Sequence, residues 1–109
     1  MKLTKIAAIA LLGVMLAGIA QAAEEFTIRI KDHKFIPETT EVPSGEKVKL
    51  VIVNEDPSPE EFESYELNRE KIIKGGSKGI VFIGPLEPGE YPFFGEFNMD
   101  SAKGKIIAK

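Results

Sequence analysis

The residues best suited to chemistry form an acidic segment in the middle of the chain. Glu60, Glu61, Glu63 and Glu66 place four carboxylates within seven residues, and Glu70 follows them. Carboxylates at this density can bind hard cations or exchange protons with a substrate. A charge run of this kind is also typical of a solvated acidic loop. The segment therefore predicts either a cation site or a plain surface loop, and its neighbours in space must decide between them.

Two other side chains could serve as metal ligands. His33 is the only histidine, and Met99 is the only methionine downstream of Met15. A single histidine without a Gly-x-Ser-x-Gly motif argues against a Ser-His-acid hydrolase. A glycosidase needs two carboxylates across a cleft, for which a domain of this size offers little room. Metal binding is the remaining chemistry, and these residues do not predict an enzyme.

The composition narrows the class of protein further. The chain has 109 residues, which fits one small domain, and it contains no cysteine. Disulfides, thiolate zinc sites and iron–sulfur clusters are therefore excluded. The formal charge of −3 makes nucleic acid an unexpected partner, because domains that neutralise phosphates are usually basic.

The N-terminus has the pattern of an export signal. Lys2 and Lys5 precede an uncharged run over residues 6–20, and Ala20-Gln21-Ala22 has the small-x-small form of a cleavage site. The run is short for a transmembrane span, which is the alternative interpretation. We therefore expect a cleaved signal over residues 1–22 and a domain over residues 23–109. This domain is expected to work in the periplasm without being inserted in the membrane.

Most of the remaining chain has the two-residue period of β-strands. Phe26, Ile28 and Ile30 alternate with polar residues, and further apolar runs occupy residues 48–53, 80–83, 91–94 and 105–108. Turn residues such as Pro43-Ser44-Gly45 separate these runs. Short strands at regular spacing predict an all-β sandwich.

The acidic segment, residues 58–70, fits this pattern least well. Ser58, Pro59 and Glu61 form a good helix start with a capping box. However, no apolar stripe follows at either period, and the neighbouring sheet needs partners for its edges. Helix and irregular strand both stay open, and we favour a turn leading into an irregular strand.

Several motifs resemble those of cupredoxins. They are the order Asp32-His33-Lys34-Phe35-Ile36-Pro37, then Val42-Pro43-Ser44-Gly45, then Pro88-Gly89-Glu90-Tyr91 and Gly104. More narrowly, Pro59-Glu60-Glu61-Phe62-Glu63-Ser64 and Phe93-Phe94-Gly95-Glu96-Phe97 are similar to the EfeO-type cupredoxin-like domains, which include the periplasmic cupredoxin of bacterial ferrous-iron permease systems. The resemblance implies a Greek-key β-sandwich of seven or eight strands.

The resemblance also implies a metal site at one end, built by the loop after Asn54 and the loop between the last two strands. The last loop lacks the Cys and His of ordinary cupredoxins. A type 1 copper site, which needs a Cys thiolate and two His, is therefore excluded. The expected donors for a copper or iron ion are Glu60 or Glu61, Glu96, Met99 and His33. His33 is included because, in a strand, it would share a face with Phe35.

Two functions follow from this resemblance. The first is a periplasmic metal-binding protein that acts as redox or delivery partner of an iron uptake system, with any enzymatic role limited to accessory ferrous-iron oxidation. The second is a metal-free sandwich that docks an inner-membrane iron permease or another periplasmic protein through its acidic end. Phe94 and Phe97 are candidates for an apolar rim, although core packing is the favoured interpretation for Phe97.

Overall fold

The fold is a β-sandwich of nine strands, as a computed structural model of the chain shows for residues 22–109. The predicted signal over residues 1–22 lies outside these described residues, apart from Ala22. No helix within the described part of the chain has the length and apolar character needed to cross a membrane. The strands are β1 (Glu24–Lys31), β2 (Lys34–Ile36), β3 (Thr39–Val42), β4 (Val48–Asn54), β5 (Glu60–Ser64), β6 (Arg69–Ile73), β7 (Lys78–Ile83), β8 (Gly89–Gly95) and β9 (Lys103–Ala108).

Two mixed sheets face each other. The four-stranded sheet has the order β2-β1-β4-β7, and the five-stranded sheet has the order β3-β9-β8-β5-β6. The pairs β1–β4 and β3–β9 are parallel, and the others are antiparallel. This architecture confirms the predicted all-β sandwich, with one or two strands more than expected.

The core lies between the sheets and is filled by alternate residues of the strands. Phe35, Phe62 and Phe93 form its centre, with the ring of Phe93 4.9 Å from each of the other two ring centroids. The Phe35–Phe93 pair is edge-to-face and the Phe62–Phe93 pair is tilted, and aromatic contacts of this kind add to the free energy gained by burial. In β4 one face is buried and the other is partly exposed. Although its apolar run is continuous over residues 50–53, β4 therefore faces the core on one side only.

The acidic segment forms a regular hairpin instead of a helix or an irregular strand. β5 and β6 pair antiparallel from Glu60↔Ile73 to Ser64↔Arg69. Within β5 the residues Glu60, Phe62 and Ser64 are buried, and Glu61 and Glu63 lie on the outer face. The helix signal at Ser58 is overridden because Phe62 fills the core and β5 pairs with β8 as well as with β6.

Candidate metal site

Three connections meet at one end of the sandwich. They are the β1–β2 turn, the loop after β4 and the β8–β9 loop, which contains one turn of 3-10 helix, Glu96–Asn98. The buried Asp56 carboxylate accepts hydrogen bonds from the backbone N–H groups of Asp32 (2.8 Å) and His33 (2.9 Å). The Ser101 hydroxyl donates to the His33 carbonyl at 2.7 Å. His33 therefore lies between the loop after β4 and the β8–β9 loop.

His33 is held in a tight turn and not in a strand. Asp32 and His33 have φ angles of 54° and 60°, which fits a two-residue hairpin turn of type I′. The hydrogen bond from the His33 backbone, followed by the one from Asp32, lowers the pKa of Asp56. The imidazole is about half exposed, with Nδ1 3.7 Å from an Asp56 oxygen. The expectation that His33 shares a strand face with Phe35 is wrong, because the turn breaks the alternation between them.

The Glu60 carboxylate is buried and fastens the β8–β9 loop. Its side chain points inward and the residue is 2% exposed. Oε1 accepts hydrogen bonds from the backbone N–H groups of Glu61 and Phe97, both at 2.9 Å, and Oε2 accepts one from the Asn98 amide at 2.8 Å. A carboxylate has about four acceptor sites, so most of its capacity is used inside the protein.

Gly95 leaves the space that this carboxylate occupies. A Cβ atom at position 95 would lie 2.5 Å from Glu60 Cδ and 2.7 Å from the Ala102 Cβ. The loop that carries Cys and His ligands in ordinary cupredoxins thus starts with a residue that has no side chain and no room for one. Since the chain also has no cysteine, the residues present do not fit a type 1 copper ion.

Four other carboxylates gather on the outer face of the five-stranded sheet. Glu61 and Glu63 lie on β5, Glu70 lies opposite Glu63 on β6, and Glu96 follows β8; we call these four residues the carboxylate cluster. One ligand oxygen each from Glu61, Glu63 and Glu70 lies within 4.8 Å of the other two. Strand pairing, which no local pattern encodes, brings these side chains together.

The carboxylates of this cluster repel one another. A hydrogen bond that protonated Glu63 donates to Glu96, together with burial and the neighbouring charges, raises the pKa of Glu63 to about 7. Burial raises the pKa of Glu61 as well, with further contributions from Glu70 and Glu96. Like charges held this close disfavour full ionisation, and a bound cation would relieve the repulsion.

The five predicted donors thus have three kinds of position. Glu61 and Glu96 lie in the carboxylate cluster, together with Glu63 and Glu70. Glu60 lies on β5 next to Glu61, but its side chain faces the core. His33 and Met99 are exposed, Met99 directly after the 3-10 turn.

Two members of the cluster, Glu63 and Glu70, are absent from the predicted donor set. The sequence contains them within its acidic segment, but their facing positions depend on the β5–β6 register. A hairpin interpretation of residues 58–70 would have found the pair. The sequence gives no comparable sign that Asn54 and Asp56 shape this end of the sandwich. The Asn54 side chain nevertheless donates hydrogen bonds to the Ser58 and Ile73 carbonyls and so holds the loop after β4.

The aromatic residues near the cluster are more exposed than expected. Phe97 is 49% exposed, so the favoured interpretation of Phe97 as a core residue is wrong. Phe94 is half-buried and lies against Tyr65, with ring centroids 5.5 Å apart. The outer face beside the carboxylates therefore carries aromatic as well as acidic groups.

The donor chemistry of the cluster is that of a hard or borderline cation. Two oxygens on opposite sides of an ion lie roughly 4–5 Å apart at ordinary metal–oxygen distances. The 4.8 Å limit within the cluster is compatible with that spacing. Carboxylate oxygens suit Cu(II) and iron better than Cu(I), which prefers sulfur.

Comparison with known proteins agrees with the architecture. A family model described as "Cupredoxin-like domain" matches residues 4–108. An uncharacterized protein of Rickettsia prowazekii (strain Madrid E) is 48% identical over 83 residues, which are 76% of this chain and 66% of the relative. The chain thus spans just under two thirds of that relative's length.

Solved structures with the same fold include copper proteins. A copper binding protein in the apo form has a TM-score of 0.71 at 22% identity, covering 83% of this chain and 91% of that one. The metal binding domain of the Cu(I) exporting ATPase CopA of Streptococcus pneumoniae D39 has a TM-score of 0.72 at 16% identity, covering 84% and 91%. Auracyanin A, a "blue" copper protein of Chloroflexus aurantiacus, has a TM-score of 0.69 at 11% identity, and the match covers 81% of this chain and 100% of that one. At these identities the likeness concerns the fold.

Proposed function

We propose that this chain, which belongs to the cupredoxin-like domain family, is a metal-binding protein that holds its ion through carboxylate oxygens. The observation that carries the proposal is the placement of Glu61, Glu63 and Glu70 with one oxygen each within 4.8 Å of the others. Family membership supplies the second argument, because several structures of the same fold bind copper according to their descriptions.

Cu(II) and iron are the ions we propose. An ion bound by several carboxylates is stabilised in its higher oxidation state, because anionic oxygen donors favour the more highly charged cation. Such an ion would supply one-electron redox chemistry or serve as cargo. The chain's own residues would hold it: Glu61, Glu63 and Glu70 from the hairpin, and Glu96 from the far side.

We propose accessory roles for the other predicted donors. His33 and Met99 are exposed on connections at this end of the sandwich, and each could complete the coordination of an ion or receive one from a donor protein. Glu60 would act mainly by holding residues 96–98, since three donors already engage its carboxylate.

Isothermal titration tests the metal-binding proposal. We expect Cu(II), or Fe(III) supplied as a citrate chelate, to bind the unmodified protein with a Kd below roughly 0.1 mM, which corresponds to about −5.5 kcal/mol. The double variant Glu61→Gln/Glu63→Gln should bind at least about tenfold more weakly, a loss of about 1.4 kcal/mol. The matched control is Glu87→Gln, an exposed carboxylate on the β7–β8 connection.

The outcome distinguishes the two functions. No measurable binding, or equal affinity in the double variant and the protein itself, would contradict the carboxylate site. The metal-free docking module of the sequence analysis would then be the better description. In that case, capture of a partner should be unaffected by chelators.

We further propose that the protein works in the periplasm as redox or delivery partner of an iron uptake system, with an inner-membrane iron permease as partner. This rests on the resemblance of residues 59–64 and 93–97 to the EfeO-type domains and on the export pattern of residues 1–22. Site-specific crosslinking from Tyr65, beside the cluster, should capture the permease in cells. Loss of the protein should reduce ferrous-iron uptake, and normal uptake without it would contradict this role.

A further inference from the structure

The outer face of the four-stranded sheet carries apolar side chains that nothing in the described part of the chain covers. Ile80 and Phe82 on β7 are each 44% exposed, and Ile36 on β2 is similar. The strand register places Ile80 beside Val51, and Phe82 beside Lys49. This surface is therefore a sheet face with an apolar centre, whereas the solvent-facing side of a sheet in a small domain usually carries polar residues.

Basic side chains surround the apolar centre. The Lys47 ammonium lies 4.6 Å from the centroid of the Phe82 ring. The strand alternation and register place further basic residues on the same face, two of which are paired with carboxylates, Arg29 with Glu55 and Lys49 with Glu25. We call the following residues the basic apolar face: Arg29, Lys31, Lys34, Ile36, Lys47, Lys49, Val51, Lys78, Ile80 and Phe82.

The sandwich is consequently polarised. Six basic residues occupy the basic apolar face, and two carboxylates accompany them. The carboxylate cluster lies on the outer face of the other sheet. A molecule with this charge distribution orients in the field of a charged surface, with the lysines turned toward negative charge.

We propose that the basic apolar face docks on an anionic lipid bilayer. Lysine stems lie along the apolar surface while their ammonium groups reach lipid phosphates, and side chains such as Phe82 enter the boundary between headgroups and acyl chains. Its basic groups around an apolar centre match the anionic headgroups and the apolar boundary of a bilayer surface.

The path of the chain supports a bilayer as the occupant. Residues 22 and 23 enter the fold beside Glu46 and Lys47, with which they line a shallow cavity of about 210 Å³. The segment immediately before them has the pattern of an export signal, which inserts in a membrane. Until the predicted signal is cleaved, this connection would hold the Lys47–Phe82 corner of the folded face near the bilayer that the signal enters.

Vesicle co-sedimentation of the metal-free protein over residues 23–109 tests this inference independently of the metal site. We expect binding to phosphatidylcholine vesicles that contain phosphatidylglycerol, and none to phosphatidylcholine alone. Each lysine near an anionic surface contributes about 1 kcal/mol, so Lys47→Gln should weaken binding about fivefold. Phe82→Ser should weaken it by a comparable or larger factor, and added salt should weaken it as well.

The controls lie on the other sheet. Ile72→Ser removes an exposed apolar side chain from β6, and Lys103→Gln removes an exposed lysine from β9. Neither should change vesicle binding. The proposal is overturned if the protein ignores anionic vesicles, if the controls lose as much affinity as Lys47→Gln, or if sedimentation velocity shows a dimer that Phe82→Ser dissociates.

Discussion

Replacing Glu60 by leucine should destabilise the fold strongly although it removes a buried charge. Leucine keeps roughly the same volume but leaves the backbone N–H groups of Glu61 and Phe97 without an acceptor. A buried donor that loses its partner costs about 1–3 kcal/mol. The Asn98 amide is half-buried and can turn toward water. Because burial of the leucine offsets part of the loss, we expect a decrease of about 2–4 kcal/mol in the free energy of unfolding.

Urea unfolding followed by circular dichroism measures this decrease, with Glu60→Gln and Glu90→Leu as controls. Glutamine keeps one acceptor oxygen, so the loss should be about 1 kcal/mol. Glu90 is exposed and pairs only with Lys105 at 3.1 Å, so its replacement should change stability by less than about 0.5 kcal/mol. If Glu60→Leu were as stable as Glu60→Gln, the carboxylate would not be what holds the β8–β9 loop.

Two further predictions concern the same end of the sandwich. Gly95→Ala places a Cβ atom 2.5 Å from Glu60 Cδ, and the forced shift should cost about 1–3 kcal/mol. Calorimetry should show a lower unfolding temperature, and an unchanged midpoint would mean that Glu60 can move freely. Glu63 has a pKa of about 7 when folded, above its ordinary value of 4.5, so its contribution to stability is full below pH 4.5 and is lost as the pH rises through 7. Between pH 5 and pH 8, the free energy of unfolding in urea should therefore decrease less in Glu63→Gln than in the unmodified protein. Equal decreases would refute the raised pKa of Glu63.

The two-residue period was sufficient to locate most of the fold. The runs around Ile28, Leu50, Val81, Phe93 and Ile106 each became a strand with its apolar face in the core. β5 was expected only as an irregular strand, because its inward face consists of Glu60, Phe62 and Ser64 and therefore shows no hydrophobic period. The burial of Glu60 depends on a hydrogen bond from the Phe97 backbone, which lies 37 residues further along the chain.

The candidate site was predictable only in part. The resemblance to cupredoxins implies that the loop after β4 approaches the β8–β9 loop and that Glu61 and Glu96 are donors; the structure places both residues in the carboxylate cluster. The sequence contains no local sign that Glu63 would face Glu70, since this follows from the register of a hairpin. The turn at Asp32-His33 is also hard to foresee, because positive φ at both positions usually requires Asn or Gly. In this chain the Asp56 carboxylate stabilises the turn from a distance in sequence.

The position of β9 has a consequence for when the protein can fold. The last strand of the chain is inserted between β3 and β8, so the five-stranded sheet has a gap until Lys103–Ala108 arrives. Until Lys103–Ala108 has been synthesised, neither the five-stranded sheet nor its core can therefore be completed. The pairing of β9 with β3 joins distant parts of the chain, and such pairings are slow to form. The preceding strands therefore stay without a complete core throughout that interval.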